Sequence, residues 1–202
     1  RWSAANCLPM NSAPPAPMAW KALTSLDEAA FCARLGAVVE HSPWVAQQAW
    51  ARRPFAHWQA LFEAMAGVID EAPQARQLAL LRSHPELAGQ EARAGTMTTD
   101  SQSEQGRLGL LALDAATVAR IEALNQRYRE RFGYPFIVAL RLHDSLASVL
   151  LAAEARLRHD EATERRLALQ QVCEVMRGRL ALAVSPDPLS PSTVTALAGS
   201  PS

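Results

Sequence analysis

The stretch DAATVARIEALNQRYRERFGYPFIVAL, residues 114–140, decides the fold. Asp114 offers an N-cap carboxylate, and Val118, Ile121, Leu124, Tyr128 and Phe132 recur at helical intervals along one face. Gly133 suits the left-handed position that closes a helix. The pattern therefore predicts one long helix between them. Tyr134 to Leu140, next in the chain, is the only run that could form a strand.

Outward from this segment the same periodicity repeats. Ser25-Leu26-Asp27-Glu28 has the capping-box pattern and predicts a helix to about Glu40, with Leu26, Phe31, Leu35, Val38 and Val39 as its apolar face. Ser42-Pro43 restarts a helix through about Ala51. From Phe55, the positions Trp58, Leu61, Phe62, Met65, Val68 and Ile69 keep helical spacing until Pro73. A shorter helix then carries Leu78, Leu80 and Leu81 to His84, where Pro85 disfavours helical backbone. Two more helices are expected at 143–158 and 161–182. The reading is an all-α fold, a single helical domain of about seven or eight helices. Residues 11–17 and 185–202 are rich in proline, serine and alanine, which predicts a disordered N-terminal segment over 1–19, a helical domain over 20–184 and a disordered tail over 185–202.

At 202 residues and 49% hydrophobic, the chain can bury one sizeable core. Lysine plus arginine equals aspartate plus glutamate at 20 each, so no long-range field favours nucleic acid or an anionic membrane. The expected partner is a small molecule or a second copy of the chain. No apolar stretch approaches the roughly 20 residues that span a bilayer, and Arg1 to Cys7 does not read as a secretory signal. Cys7, Cys32 and Cys173 are too scattered for a disulfide set, which fits a reducing compartment and packing roles for the latter two. The five histidines, His41, His57, His84, His143 and His159, show no metal-ligand spacing, so no metal is expected. There is no phosphate loop, nucleophile elbow or dinucleotide fingerprint.

Two neighbouring stretches carry possible chemistry. Leu81-Arg82-Ser83-His84-Pro85-Glu86-Leu87-Ala88-Gly89 brings an imidazole to a helix end, and imidazole both accepts and donates protons near neutral pH. Capping of helix carbonyls explains His84 about equally well. Asp100-Ser101-Gln102-Ser103-Glu104-Gln105 opens a further helix, whose unpaired amides could receive an anionic or carbonyl-rich ligand. A plain capping box, Ser101 to Glu104, is the simpler account. Phe132 to Leu140 reads by composition as a buried crossing segment whose extended backbone could also meet a ureide-like edge. Arg179 could reach a carboxylate with its planar fork, or be an ordinary surface arginine.

Together these stretches resemble the OHCU decarboxylase family, the 2-oxo-4-hydroxy-4-carboxy-5-ureidoimidazoline decarboxylases. The likeness spans about residues 25–182. It rests on Glu40-His41-Ser42-Pro43-Trp44-Val45, Ala51-Arg52-Arg53-Pro54-Phe55, Ser83 to Gly89, Ser101-x-x-Glu104-Gln105, and Leu124-Asn125-x-x-Tyr128-x-x-Arg131-Phe132-Gly133-Tyr134-Pro135-Phe136-Ile137, in the family's order. The resemblance implies a cofactor-independent, homodimeric enzyme acting third on the route from urate to (S)-allantoin. His84 and Glu104 would be catalytic. Pro85, Ser101, Gln102, Ser103, Gln105, Phe136, Ile137, Val138, Ala139, Leu140 and Arg179 would bind the ureidoimidazoline substrate, with Arg165 or Arg166 as alternatives to Arg179. Tyr134 stands where members often have phenylalanine, a hydroxyl expected to matter little. The chain ends without a peroxisomal address, and its alanine- and arginine-rich texture suggests a bacterial cytoplasm.

The implied chemistry needs no cofactor. Electron density left by departing CO₂ can pass into the substrate's adjacent C=N bond while the protein orients the carboxylate and protonates one face. Two competing readings are a hydrolase of a related ureide or imidazolone, with His84 and Glu104 activating water, and a non-enzymatic helical binding module.

Overall fold

The computed structural model describes residues 16–88, 103, 106, 108, 110 and 113–185. Eight α-helices are formed among them: α1 (Trp20–Thr24), α2 (Glu28–Leu35), α3 (Trp44–Trp50), α4 (Trp58–Asp70), α5 (Gln74–Arg82), α6 (Ala115–Phe132), α7 (Leu146–Arg156) and α8 (Glu161–Ala183). A 3₁₀ turn, Leu140–Leu142, precedes α7. Strands β1 (Met18–Ala19) and β2 (Val184–Ser185) pair in parallel, Met18 with Val184 and Ala19 with Ser185. Arg34 reinforces this junction of the two ends by donating to the carbonyls of Ala16 at 3.0 Å and Ala183 at 2.7 Å. The all-α single domain read from periodicity is what the chain forms.

Five of the eight helices, α2, α4, α6, α7 and α8, begin where a side chain accepts a first-turn amide. Asp114 accepts from Thr117 N–H at 2.9 Å, Asp160 from Thr163 N–H at 2.8 Å, and Ser145 from Ser148 N–H at 3.2 Å. His57 does the same for α4, its Nδ1 accepting from Ala60 N–H at 3.1 Å. Gly133 closes α6 at φ 75°, the left-handed geometry a side chain would strain.

Three expectations about local structure are corrected. The cap of α2 is Asp27, which accepts from Ala30 N–H at 2.8 Å, while Ser25 ends α1 and its hydroxyl donates to the Lys21 carbonyl. That helix stops at Leu35 rather than Glu40, because the chain turns at Gly36 and reaches a left-handed residue, His41, at φ 55°. Residues 134–139 form no strand. Pro135 supplies no amide, the Ile137 carbonyl and the Ala139 amide are met by side chains, and the Ala139 carbonyl takes the Leu142 amide of the 3₁₀ turn, so no neighbouring strand pairs with the segment.

The core lies along α4, α6 and α8. Leu61, Met65, Ile69, Ile121, Tyr128, Ala168, Met176 and Leu180 are fully buried, and a large apolar side chain so placed contributes about 1.5–3 kcal/mol. Tyr134, Phe132, Tyr128 and Phe136 form a row of ring contacts in that order, stacked at 6.0 Å between Tyr134 and Phe132, tilted at 5.1 Å between Phe132 and Tyr128, and edge-on at 5.1 Å between Tyr128 and Phe136. Helix α8, 23 residues long, packs against α2, α4, α5, α6 and the 3₁₀ turn. Its length, about 35 Å at 1.5 Å per residue, lets a single element meet both the segment after Gly133 and Glu40.

Candidate active site

His84 follows the last turn of α5. The Ser83 hydroxyl donates to the Leu80 carbonyl at 2.9 Å and the His84 amide to that of Leu81 at 3.3 Å, so the turn is tied off just before Pro85. Helix α6 grips the chain on both sides of the histidine. Arg82 Nε donates to the Gly133 carbonyl at 3.2 Å, Arg129 forms an ion pair with Glu86, and Asn125 Nδ2 donates to the buried Leu87 carbonyl at 3.0 Å. Ala88 is then held at φ 47°, a left-handed conformation that is costly for alanine and persists only when its surroundings fix it.

Across from this loop lies a buried ion pair. Arg179 Nη1 stands 3.2 Å from Glu40 Oε2, and both side chains are almost wholly enclosed, 3% and 2% exposed. The His84 imidazole is half-buried beside them. Burial lowers its pKa to about 4, Arg179 and His41 lower it in the same direction, and Glu40 pulls against them. The ring is therefore neutral at pH 7, a proton acceptor with a guanidinium near enough to repel any proton it takes.

Phe136, Ile137, Val138, Ala139 and Leu140 are all buried. The Ile137 carbonyl accepts from Arg156 Nη1 at 2.8 Å, and the Ala139 amide donates to Gln171 Oε1 at 2.9 Å. The Ala139 N–H is thus engaged by the protein rather than open to a ligand. From Leu140 the chain continues to Arg141, which lies along α8, donating to the Glu174 carbonyl at 3.1 Å and pairing with its carboxylate. The segment consequently runs beside α8 toward the turn that bears Arg179.

Of the residues singled out in the sequence, the structure brings His84 and Arg179 into one electrostatic environment, with half-buried Pro85 adjoining. Ser103 is exposed. Ser101, Gln102, Glu104 and Gln105 lie outside the described residues. Arg165 and Arg166 line a different cavity, of about 510 Å³, together with Phe62, Cys173 and Arg177. Glu40 and His41 had been quoted only as part of a motif; their signal was that motif, and only folding reveals that Glu40 meets Arg179. Burial raises the thiol pKa of both Cys32 and Cys173, the latter to about 11, so neither is an activated nucleophile. Among the described residues no group of three His, Cys, Asp or Glu side chains is placed to hold a metal ion, and no helix is long and apolar enough to cross a membrane.

A helical domain with a neutral, half-buried imidazole beside an enclosed Arg–Glu pair is a site equipped for proton transfer and carboxylate recognition. The family model for OHCU decarboxylase matches residues 24–181, and the chain belongs to that family. It is 37% identical over 163 residues to the 2-oxo-4-hydroxy-4-carboxy-5-ureidoimidazoline decarboxylase of Amia calva, covering 81% of this chain and 93% of that protein. It is 39% identical over 158 residues to the enzyme of the same name from Mus musculus, covering 78% and 88%. Among solved structures, the crystal structure of (S)-allantoin synthase superposes with a TM-score of 0.64 at 27% identity, over 84% of this chain and 54% of that one, so the match spans about half of the synthase chain.

Proposed function

We propose that the chain decarboxylates 2-oxo-4-hydroxy-4-carboxy-5-ureidoimidazoline to (S)-allantoin, the third step from urate, without a cofactor. The observation that carries this reading is the neutral His84 imidazole beside the Glu40–Arg179 pair in a member of this family. Relatives of matching length bear the name of that decarboxylase, which supports the same substrate here.

In this reading the electron pair of the breaking C–CO₂ bond becomes a C=C bond as the neighbouring C=N pair moves onto nitrogen, which takes a proton. The resulting enol returns to a carbonyl when its hydroxyl proton leaves and the carbon bearing the ureido group is protonated on one face. One proton replaces one CO₂, so the sum balances. His84, unprotonated at neutral pH, accepts the hydroxyl proton. Arg179 supplies positive charge for the substrate carboxylate in a site shielded from water, where such charge acts strongly. Glu104 orients the ring and ureido N–H groups, while Ser101, Gln102, Ser103, Gln105 and the 136–140 backbone read the remaining edges. The chain acts as a homodimer in a bacterial cytoplasm, an assembly that sedimentation of the purified protein checks.

The test is optical. Urate is converted by the two upstream activities, and allantoin formation is followed by circular dichroism with this protein or its His84→Ala variant. The wild type accelerates the signal of one enantiomer and the variant loses the acceleration. An unaccelerated wild-type signal, or a variant as fast as wild type, overturns the assignment.

A further inference from the structure

We infer that the buried Arg156–Glu164 pair, with Gln171, is a positioning device that holds the peptide groups of Val138 toward the substrate. The inference rests on the decarboxylase reading only in making residues 136–140 the substrate-facing segment.

Glu164 lies in the first turn of α8 with a side chain 0% exposed, and Arg156, at the end of α7, is 8% exposed. Enclosing two such charges is costly before their attraction is counted. An apolar pair of similar volume would serve the core as well. What an apolar pair cannot do is what this one does. Glu164 collects Arg156 Nη2 at 2.5 Å, Arg156 Nε at 3.1 Å, the Tyr128 hydroxyl at 3.1 Å and His159 Nδ1 at 3.0 Å. That leaves the guanidinium one fixed orientation, with Cζ 4.8 Å from the centroid of the Phe136 ring and Nη1 on the Ile137 carbonyl.

Seven residues along α8, Gln171 takes the Ala139 amide. The two anchors therefore bracket a single residue. Among the described residues neither the N–H nor the C=O of Val138 has a protein hydrogen-bond partner, although Val138 is only 8% exposed. Buried peptide groups are ordinarily paired, so an unpaired set held rigid between two anchors is suited to a planar ligand edge that offers both a donor and an acceptor, as a ureide does. Arg156 and Glu164 touch no substrate in this scheme; they act through the backbone.

Arg156→Lys keeps the charge opposite Glu164 but lacks the fork that serves the carboxylate and the Ile137 carbonyl together. The double variant Arg156→Met/Glu164→Met removes both charges at similar volume. Three kinds of measurement are made on each: Tm, kcat and KM from the optical assay, and amide hydrogen exchange at Val138 and Ala139. Positioning predicts folded variants whose KM rises or kcat falls by about ten- to a hundred-fold, the scale set by slight misplacement of a bound reactant, together with faster exchange at both amides. A folded variant whose kcat and KM stay within about two-fold of wild type overturns the inference. If the double variant does not fold, Arg156→Lys decides by the same readings. If wild type shows no turnover, the decarboxylase reading falls. The exchange measurement needs no turnover, and unchanged protection at Val138 and Ala139 in folded Arg156→Lys overturns the positioning role on its own.

Discussion

Replacing Arg179 with glutamine has two separable consequences, both set by its neighbours. Glu40 becomes a carboxylate 2% exposed with its 3.2 Å guanidinium removed, and breaking a buried pair from one side costs about 3–5 kcal/mol. At roughly 3 °C per kcal/mol for a domain of this size, Tm falls by about 9–15 °C. The second consequence is at His84, whose pKa near 4 reflects burial first, then Arg179, with Glu40 acting the other way. Loss of Arg179 leaves burial in place and Glu40 unopposed, so the imidazole titrates above 4 while staying below its ordinary 6.5. Glu40→Gln removes the opposing negative charge instead and moves the titration below that of wild type. A double change, Arg179→Met/Glu40→Leu, recovers most of the lost Tm because no charge is left stranded, and it keeps His84 low because burial is untouched. The His84 ring proton, assigned by its disappearance in His84→Asn, gives the midpoint by NMR titration, and thermal melts give the stability. Equal His84 midpoints in Arg179→Gln and Glu40→Gln would refute the electrostatic account of the site.

Three further outcomes are expected. His84 titrates at about 4 when folded and near 6.5 when unfolded, so as pH falls the unfolded chain takes the proton first; this part of the stability is whole above about pH 6.5 and declines toward pH 4 by up to about 3 kcal/mol. Urea melts across that range check it, and His84→Asn flattens the dependence. Among the described residues the buried Tyr134 hydroxyl has no hydrogen-bond partner, and since an unsatisfied buried group costs about 1–3 kcal/mol, Tyr134→Phe raises Tm by several degrees; an unchanged or lower Tm would show the hydroxyl to be satisfied. In the optical assay, His84→Ala abolishes stereospecific acceleration while Arg165→Ala, on the separate cavity, leaves it within about two-fold of wild type.

Tyr134 illustrates what sequence could and could not reveal. The family likeness identified it as a departure, but where its hydroxyl would lie could not be read from the sequence. Burial without a partner is a property of the packed aromatic row, not of the residue. Element type was legible for α4, α6, α7 and α8 because each buries a stripe at helical period, and periodicity is a local signal. The cap of α2 was misread by two residues because Ser25 and Asp27 both suit an N-cap, and only the end of α1, which takes the Ser25 hydroxyl, separates them. Tyr134 to Leu140 looked like a strand because buried extended backbone has strand composition whether or not another strand pairs with it. His84 was legible through its neighbours Ser83 and Pro85. Arg179 could not be told from a surface arginine, since the carboxylate that explains its burial is 139 residues away in sequence.

That long-range dependence explains why α8 is the element on which the site turns. Glu164 and Gln171 are seven residues apart, which at about 100° per residue leaves them within about 20° on one face. Arg179 stands two turns further on. Each reaches a different partner: Glu164 the Arg156 guanidinium, Gln171 the Ala139 amide, Arg179 the Glu40 carboxylate. A rigid helix fixes the spacing of these three contacts, so the backbone at Val138 and the charge beside His84 are held in register by one element rather than by loops that could drift independently. A change that shifts α8 along its axis would disturb all three at once. One that alters a single contact should instead show its own signature: the exchange of Val138 for Arg156, the His84 midpoint for Arg179.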